Sequence, residues 1–177
     1  MKTLLTITEQ DINPDAKEVD TSKFRQRLAA RAVLLDDLGQ VYLLNVSKHG
    51  YHKLPGGGVD DGENIEQALE RELMEEVGCK AEVAAELGSI VEYRTYDHDG
   101  LKQTSYCYLA RQIGDQQESA LEEGELDEGM FEVKATSINE AIELLSGDEP
   151  DNLEGKFIQK RDLCFLRAAK AATDSLY

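Results

Sequence analysis

The sequence predicts an α/β fold, and three observations support this prediction. Segments of strand character and segments of helical periodicity follow each other in the order of three strands, one helix, three strands and two helices. A chain of 177 residues, of which 41% are hydrophobic, can enclose a substantial core. No repeat, linker or low-complexity segment divides it. We therefore expect one domain over residues 1–177.

The N-terminal part is expected to place two strands side by side after a short extension. Residues 1–23 contain a short strand at 3–8 and a polar stretch, and they are expected to cover an edge of the sheet. Residues 24–36 have strand character, and the turn after them leads into a second strand at 41–46. These two strands are expected to form a hairpin.

Three arginines fall on one face of the first long strand. Arg25, Arg27 and Arg31 are separated by even numbers of residues, and side chains two apart along a strand point the same way. Either this face is a solvated edge of the sheet, or one or two of the arginines meet phosphate groups of a substrate. The acidic remainder of the chain cannot make that contact.

A loop before a glycine-rich turn carries His49, Tyr51 and His52. The two histidines are three residues apart, but neither a helix nor a third ligand accompanies them, so a zinc site is not expected. Tyr51 either stacks on a base or packs against the turn. Pro55 directs the chain into the turn, where Gly57 lets the backbone come close to a substrate.

One amphipathic helix follows the turn, over residues 64–77, and it carries more carboxylates than a structural role requires. At about 100° per residue, Glu72 and Glu76 fall on or next to its apolar arc, and Glu75 lies on the flank. Carboxylates four residues apart repel each other by roughly 0.2–0.5 kcal/mol, and desolvation raises that cost. A divalent cation bound between the carboxylates would replace this repulsion by a net attraction. The helix is either a solvated acidic surface or part of a magnesium–phosphate site, and we favour the second interpretation.

Two strands and an acidic segment are predicted after this helix. Residues 81–96 form one or two strands, with an interruption at Gly88, and the turn at 97–100 leads into a return strand at 101–110. The stretch 114–129 is expected to be mostly a solvated acidic loop.

The C-terminal part is expected to contain one strand and two helices. A short strand at 131–135 precedes Ser137, which forms a capping box with Glu140 at the start of a helix that ends at Gly147. The C-terminal helix occupies residues 153–177, with its regular part ending near residue 172. Its basic side chains are expected on the helix surface rather than at a phosphate or a dimer contact; they are Lys156, Lys160, Arg161, Arg167 and Lys170.

The net charge of −17 limits the expected partners. A protein that binds a nucleic acid polymer needs a basic footprint, so we expect no such partner. A small anionic substrate is compatible with this charge only if a metal and local arginines or lysines assist. Three widely spaced cysteines without a CxxC pair indicate reduced thiols and a cytoplasmic protein. No apolar run approaches the ~18 residues of a membrane span, so no membrane partner is expected.

Residues 57–79 resemble the Nudix box, in which Gly, Glu and an Arg-Glu-rich helical segment recur at set spacings. The matching positions are Gly57, Glu63, Arg71, Glu72, Leu73, Glu75, Glu76 and Gly78. Cys79 stands where the family usually has Ile, Leu or Val, and a free cysteine behaves as a small hydrophobe. The resemblance implies a Nudix-type α/β/α sandwich with a mixed β-sheet along most of the chain.

The resemblance also implies a set of metal ligands. Glu72 and Glu76 are the expected first ligands of Mg²⁺, for which Mn²⁺ can substitute, and Glu75 is a third ligand or holds the attacking water. The carbonyl oxygen of Gly56 is a further ligand in many members of the family. The general base is one of Glu72, Glu75 or a glutamate of the acidic loop.

Three further residues take supporting roles by the same resemblance. The acidic loop is expected to bring one more glutamate to the metal, either Glu128 or Glu125. Arg71 is expected to orient a glutamate of the box rather than touch the substrate. Glu63 is expected to support the helix and the residues around the metal.

The implied reaction is hydrolysis of a phosphoanhydride in a nucleoside diphosphate linked to another group. A (d)NTP or oxidised nucleotide, cleaved to monophosphate and pyrophosphate, is the first expectation. ADP-ribose, nucleotide sugars and dinucleoside polyphosphates stay open, as does a non-catalytic nucleotide-binding sensor, although a pure binder has no need of three box glutamates. Family habit also implies a homodimer, which a monomer mass by light scattering would contradict.

Overall fold

A seven-stranded mixed sheet forms the centre of the computed structural model, which describes residues 1–95 and 100–174. The strands are β1 (Thr3–Ile7), β2 (Arg25–Leu35), β3 (Val41–Val46), β4 (Tyr51–Lys53), β5 (Lys80–Arg94), β6 (Leu101–Ile113) and β7 (Met130–Ala135). Their spatial order is β1-β5-β6-β2-β3-β4, and β7 pairs with β3 outside this path. The β1–β5 and β2–β6 pairs are parallel and the other pairs are antiparallel.

Helices cover both faces of this sheet. They are α1 (Ile65–Val77), α2 (Glu123–Asp127), α3 (Ile138–Gly147) and α4 (Leu153–Asp174), with a 3₁₀ turn at Glu9–Asp11. Leu73 of α1 joins Leu34 of β2 in one buried cluster. Phe157 and Phe165 of α4 join Val33 of β2 in a second cluster on the opposite face, because successive side chains of a strand point to opposite sides. The predicted α/β/α sandwich with a mixed sheet is thus confirmed.

Helix α1 forms where its local sequence predicts it. Asn64 caps its start: the side chain of Asn64 accepts the N–H of Gln67 at 2.9 Å, and the side chain of Gln67 accepts the N–H of Asn64 at 2.9 Å. Such a cap stabilises a helix by about 1 kcal/mol. Leu69, Leu73 and Val77 are buried against the sheet. The opposite side of α1 is therefore free to carry charged residues.

Strands β2 and β3 diverge, and this divergence creates room for a site. The predicted hairpin is confirmed only at its turn end, where Leu35 pairs with Val41. Further along β2, the glycine-rich segment 55–59 takes the place of β3. The N–H of Ala30 donates to the carbonyl of Gly57 at 2.9 Å. Strand β3 instead pairs with β4 and β7.

The segment with the two histidines is a strand in part rather than a loop. His52 lies in β4 and pairs with Asn45 of β3. The Nδ1 atom of His52 lies 2.9 Å from Asp148, and the Nδ1 atom of His49 lies 2.9 Å from Asp151. These contacts tie β4 and the turn before it to the connection between α3 and α4, while the pairing with β3 makes residues 51–53 a strand.

The region after α1 differs from its prediction at two places. Strand β5 is continuous, and its pairing with β6 shifts register between Val83 and Ala85 and between Glu86 and Gly88 instead of ending. The acidic stretch contains α2, which is too short for a recognisable helical period. The predicted turn at 97–99 lies outside the described residues.

Two predictions for the C-terminal part need correction. The side chain of Ser137 accepts the N–H of Glu140 at 3.2 Å as predicted, but the carboxylate of Glu140 accepts the N–H of Thr136 at 2.5 Å instead of completing a box. Arg161 was predicted on the surface and is fully buried, because it pairs with Asp162. Within residues 1–95 and 100–174, no helix has both the length and the apolar character that crossing a membrane requires.

Candidate active site

A cavity of about 200 Å³ lies beside the glycine turn. Its lining comes from β2, β4, the turn, α1, the segment around α2, and α4. The lining residues are Arg27, Arg31, Tyr51, Lys53, Gly56, Gly57, Gly58, Glu72, Glu75, Glu76, Glu122, Glu125, Glu128, Glu154 and Ile158. Seven glutamates therefore face three basic side chains, and an anionic ligand needs additional positive charge to bind here.

The glycine turn brings the backbone into contact with the carboxylates. Gly56 has a φ of +126°, which other residues rarely adopt, and a Cβ atom there would collide with the carbonyl of Ala30. A Cβ atom on Gly57 would collide with the carboxylate of Glu72. The N–H of Gly56 donates to Oε2 of Glu76 at 2.5 Å. The glycine at position 56 thus lets the turn lie against β2, and the glycine at position 57 leaves room for the carboxylate of Glu72.

Arg71 uses its hydrogen-bond donors within the site. Its Nε and Nη2 atoms donate to Glu63 at 2.8 and 3.0 Å, and Nη2 also donates to the carbonyl of Gly58 at 3.0 Å. Nη1 donates to Glu72 at 2.9 Å and to Glu75 at 3.0 Å. These five contacts match the five N–H groups of a guanidinium, so none is left for a substrate. The geometry supports the expectation that Arg71 orients the glutamates of the box.

The carboxylates around the cavity differ in their protonation behaviour. Hydrogen bonds from Arg71 lower the pKa of Glu63 to about 2. Burial raises the pKa of Glu72, and the charge of Glu76 raises it further, against the opposite effect of Arg71. Burial also raises the pKa of Glu125 to about 7. Glu72 and Glu125 are therefore the carboxylates whose charged forms would gain most from a nearby cation.

Lys53 lies among these carboxylates, and the sequence reasoning missed it. Its Nζ atom is 2.9 Å from Oε1 of Glu76 and 3.9 Å from Oε1 of Glu125. The sequence contains an indication of Lys53, because Tyr51 is a candidate and residues two apart along a strand share a face. Without the knowledge that residues 51–53 form a strand, that signal could not be used.

The structure separates the three candidate arginines. Arg27 and Arg31 line the cavity, and Arg25 is exposed and does not belong to the lining. Arg31 is 7% exposed, and its Nε and Nη1 atoms have no hydrogen-bond partner among the described residues. Burial and the charge of Arg161 lower the pKa of Arg31 to about 10, so it stays charged at neutral pH. Nearby carboxylates favour its charged form, but its two unpartnered donor atoms are unfavourable in a buried place unless a ligand supplies an acceptor.

The remaining candidates lie at the walls of the cavity. Tyr51 is 4% exposed, and its ring lies against Gly155 of α4, which favours the packing alternative over stacking on a base. Glu125 and Glu128 both line the cavity, but Glu125 contacts the same ammonium as Glu76 and is the stronger of the two candidates. Glu122 and Glu154 also line the cavity and were not singled out, since they lie in acidic stretches without a motif.

The donor set suits a hard divalent cation after side-chain rotation. No three His, Cys, Asp or Glu side chains in the described part of the chain are already arranged around one point as metal ligands. The box glutamates do not meet around one point because Arg71 binds Glu72 and Glu75, while Lys53 binds Glu76. Every candidate ligand is an oxygen, which Mg²⁺ and Mn²⁺ prefer, and the ammonium of Lys53 already binds one of these ligands, Glu76.

Comparisons with known proteins bear on the family and the fold of the chain. The RNA pyrophosphohydrolase of Pseudoalteromonas atlantica is 41% identical over 66 residues, which are 36% of this chain and 36% of that protein. The chain thus matches about a third of the length of this curated relative. A NUDIX hydrolase from Nitrosomonas europaea superposes with a TM-score of 0.58 at 15% identity, over 84% of this chain and 90% of that chain.

A second solved structure shows the same fold. An ADP-ribose pyrophosphatase from Streptococcus suis superposes with a TM-score of 0.50 at 18% identity, over 81% of this chain and 92% of that chain. The sequence model of the NUDIX domain matches residues 25–154. This match spans most of the chain and includes the whole motif at 57–79, so the chain belongs to the NUDIX domain family.

Proposed function

We propose that the protein is a pyrophosphohydrolase that uses Mg²⁺, or Mn²⁺ in its place, to cleave a phosphoanhydride in a nucleoside diphosphate-linked substrate. The first candidate substrate is a (d)NTP or oxidised nucleotide, hydrolysed to monophosphate and pyrophosphate. One observation carries the proposal: the buried Arg31, with two unpartnered donor atoms, lines the same cavity as the box glutamates. A phosphate supplies acceptors for these two donor atoms of Arg31, and the carboxylates supply ligands for the metal.

The residues of the chain take distinct parts in this reaction. Glu72 and Glu76, with the carbonyl of Gly56, would hold the metal, and Arg71 keeps Glu72 and Glu75 in place. The bound cation would neutralise charge on the phosphate oxygens and help to activate the attacking water. A box or loop glutamate accepts the proton from that water. The oxygen of the water forms the new bond to phosphorus, and the bond to the bridging oxygen breaks.

Free nucleotides fit the chain better than an RNA end. The net charge of −17 is unfavourable for binding a polymer, which needs a basic footprint. The names RNA pyrophosphohydrolase and ADP-ribose pyrophosphatase belong to the relatives and leave RNA 5′ ends, ADP-ribose and nucleotide sugars as alternatives. A non-catalytic nucleotide sensor is the alternative from another class. The homodimer, the single domain over 1–177 and the cytoplasmic location stay predictions.

The proposal is tested by a magnesium-dependent hydrolysis panel. It contains ordinary and oxidised dNTPs, ADP-ribose, a nucleotide sugar, a dinucleoside polyphosphate and an RNA oligonucleotide with a 5′-triphosphate. We expect one nucleotide to be cleaved in preference to the others, with loss of activity in EDTA. A panel without turnover, in which a nucleotide still raises the melting temperature, would support the sensor instead. Preferred cleavage of the RNA would contradict the choice of a free nucleotide.

The role of Arg31 gives a separate prediction, because function should change much more than stability. Arg31→Met is expected to lower kcat/KM by roughly 10–100-fold, since hydrogen bonds to charged groups contribute about 1.5–3 kcal/mol. The melting temperature should change little, because removing two buried donor atoms without partners offsets the loss of the charge that Arg31 places near buried carboxylates. Both quantities are measured on the preferred substrate of the panel and by thermal unfolding.

Arg25→Met is the matched control for this variant. It removes the same charge from the same strand at an exposed position outside the cavity lining, so its kcat/KM should change by no more than about twofold. Equal losses in the two variants would show that only the overall charge matters. A marked loss of stability in Arg31→Met would show that Arg31 is structural.

A further inference from the structure

Lys53 is the cation that the chain itself places at Glu76 in the candidate active site. Its Nζ atom is 2.9 Å from Glu76 and 3.9 Å from Glu125. The side chain of Lys53 is 15% exposed and that of Glu76 is 1% exposed, so the pair is largely shielded from water. An isolated charge is costly in such a place, and either partner alone would be left uncompensated.

Both oxygens of Glu76 are occupied as a result of this pair. Oε1 accepts a hydrogen bond from Lys53, and Oε2 accepts the N–H of Gly56. A divalent cation that binds Glu76 has to take the place of the ammonium, because two cations at one carboxylate repel each other strongly in a shielded site. Lys53 can leave by rotation of its side chain, since its ammonium sits on a flexible four-carbon stem.

The displaced ammonium of Lys53 can meet a new anionic partner within the same cavity. Lys53, Arg27 and Arg31 are the basic side chains of the lining, and the unpartnered donors of Arg31 mark where an anion would be bound. A phosphate chain that reaches Arg31 and the glutamate-bound cation would also lie within reach of a released lysine. Such a phosphate offers the ammonium a new anionic partner when it loses Glu76.

We infer that Lys53 is an exchangeable counter-ion of the site. It neutralises Glu76 in the metal-free protein, gives way to the divalent cation, and then binds a phosphate oxygen of the substrate. This inference rests on the proposed function, because it requires a metal at Glu76 and a phosphate in the cavity. It adds a consequence: metal and substrate favour each other's binding through one side chain, and this coupling is reciprocal.

The test measures Mn²⁺ binding to EDTA-treated, desalted protein by electron paramagnetic resonance, without substrate. Lys53→Met removes the competing ammonium and is expected to bind Mn²⁺ about tenfold more tightly than the wild type. The metal-free variant should melt at a lower temperature, because Glu76 loses its counter-ion. Mn²⁺ should raise its melting temperature more than that of the wild type.

Three further variants make the test specific. Lys53→Arg keeps a positive charge and should bind Mn²⁺ about as weakly as the wild type. Lys53→Gln keeps a hydrogen-bond donor for Glu76 without the charge, and it takes the place of Lys53→Met if that variant does not fold. Lys170→Met removes one exposed charge from α4. It lies twelve residues, or about 18 Å along the helix, beyond Ile158, which lines the cavity, so it should leave Mn²⁺ binding unchanged.

Steady-state kinetics at saturating Mn²⁺ test the second half of the inference. Lys53→Met should raise KM for the preferred nucleotide by about tenfold, with a smaller change in kcat, because a phosphate contact is lost. An unchanged KM would overturn the transfer of Lys53 to a phosphate.

The outcomes separate this inference from the proposed function. If the wild type binds Mn²⁺ and hydrolyses its substrate, but Lys53→Met binds Mn²⁺ no more tightly, the exchange is wrong and the proposed function stands. If the wild type itself binds no Mn²⁺, the exchange of Lys53 and the proposed function are both wrong.

Discussion

Replacement of Glu76 with glutamine is expected to lower the rate of hydrolysis by at least about a hundredfold while the fold stays intact. Glu76 is buried at the glycine turn, where it accepts the N–H of Gly56 and the ammonium of Lys53. A glutamine keeps an oxygen that can accept the N–H of Gly56, so the turn retains its shape. It carries no negative charge and is therefore a poor ligand for a hard divalent cation.

The measurement is kcat on the preferred nucleotide, together with the far-ultraviolet circular dichroism spectrum of each protein. Glu70→Gln is the matched control, because it makes the same change on the exposed side of α1. We expect its kcat to stay within about twofold of the wild type. Near-normal turnover in Glu76→Gln would remove Glu76 from the metal site and, with it, the central assignment of the proposed function.

Replacement of Arg161 with methionine is expected to produce the largest loss of stability. Arg161 is fully buried; its Nε atom donates to Asp162 at 2.7 Å, and its Nη1 atom lies 3.5 Å from Glu92. Removing one member of a buried ionic group leaves charges without compensation and costs about 3–5 kcal/mol. In a chain of this length, that loss corresponds to a melting temperature lower by roughly 6–20 °C. Asp162 also accepts the N–H of Leu54, so the glycine turn should loosen too.

The pH dependence of this loss gives a second readout. Burial raises the pKa of Glu92, but the charges of Arg161 and Arg94 outweigh burial and leave the pKa below its usual value. In the wild type, Glu92 therefore contributes stability at neutral pH that is lost as the pH falls through its pKa. In Arg161→Met the pKa should rise, so protonation at low pH relieves the uncompensated charge. The difference in melting temperature between the wild type and Arg161→Met should thus be smaller at about pH 5 than at about pH 8.

Arg167→Met serves as the control for this experiment, since Arg167 is exposed on the same helix. Its free energy of unfolding should change by no more than about 0.5 kcal/mol. If the two variants were equally stable, the buried ionic group would make no net contribution to the fold. A difference that does not depend on pH would show that Glu92 stays charged in both proteins.

The features that depend on local sequence were predictable. Helix α1 was expected at 64–77 and spans Ile65–Val77, because its apolar period and its cap at Asn64 are properties of neighbouring residues. The strands were largely located for the same reason, and the motif at 57–79 indicated which glutamates would face one cavity. The short α2 was missed, since five residues are too few to show a helical period.

The fate of the charged side chains was decided only by the tertiary structure. Arg25 and Arg31 lie on the same face of β2 by period, yet one is exposed and the other is buried at the cavity. Arg161 looked like a surface residue, although its partner Glu92 lies 69 positions earlier in the chain. Lys53 lies in a three-residue strand and finds Glu76 across the cavity. A charge can be buried only where distant segments supply its partners, and periodicity along the chain carries no information about those segments. The sequence alone therefore determined the fold and the identity of the box glutamates, and tertiary packing decided which cations stand beside them.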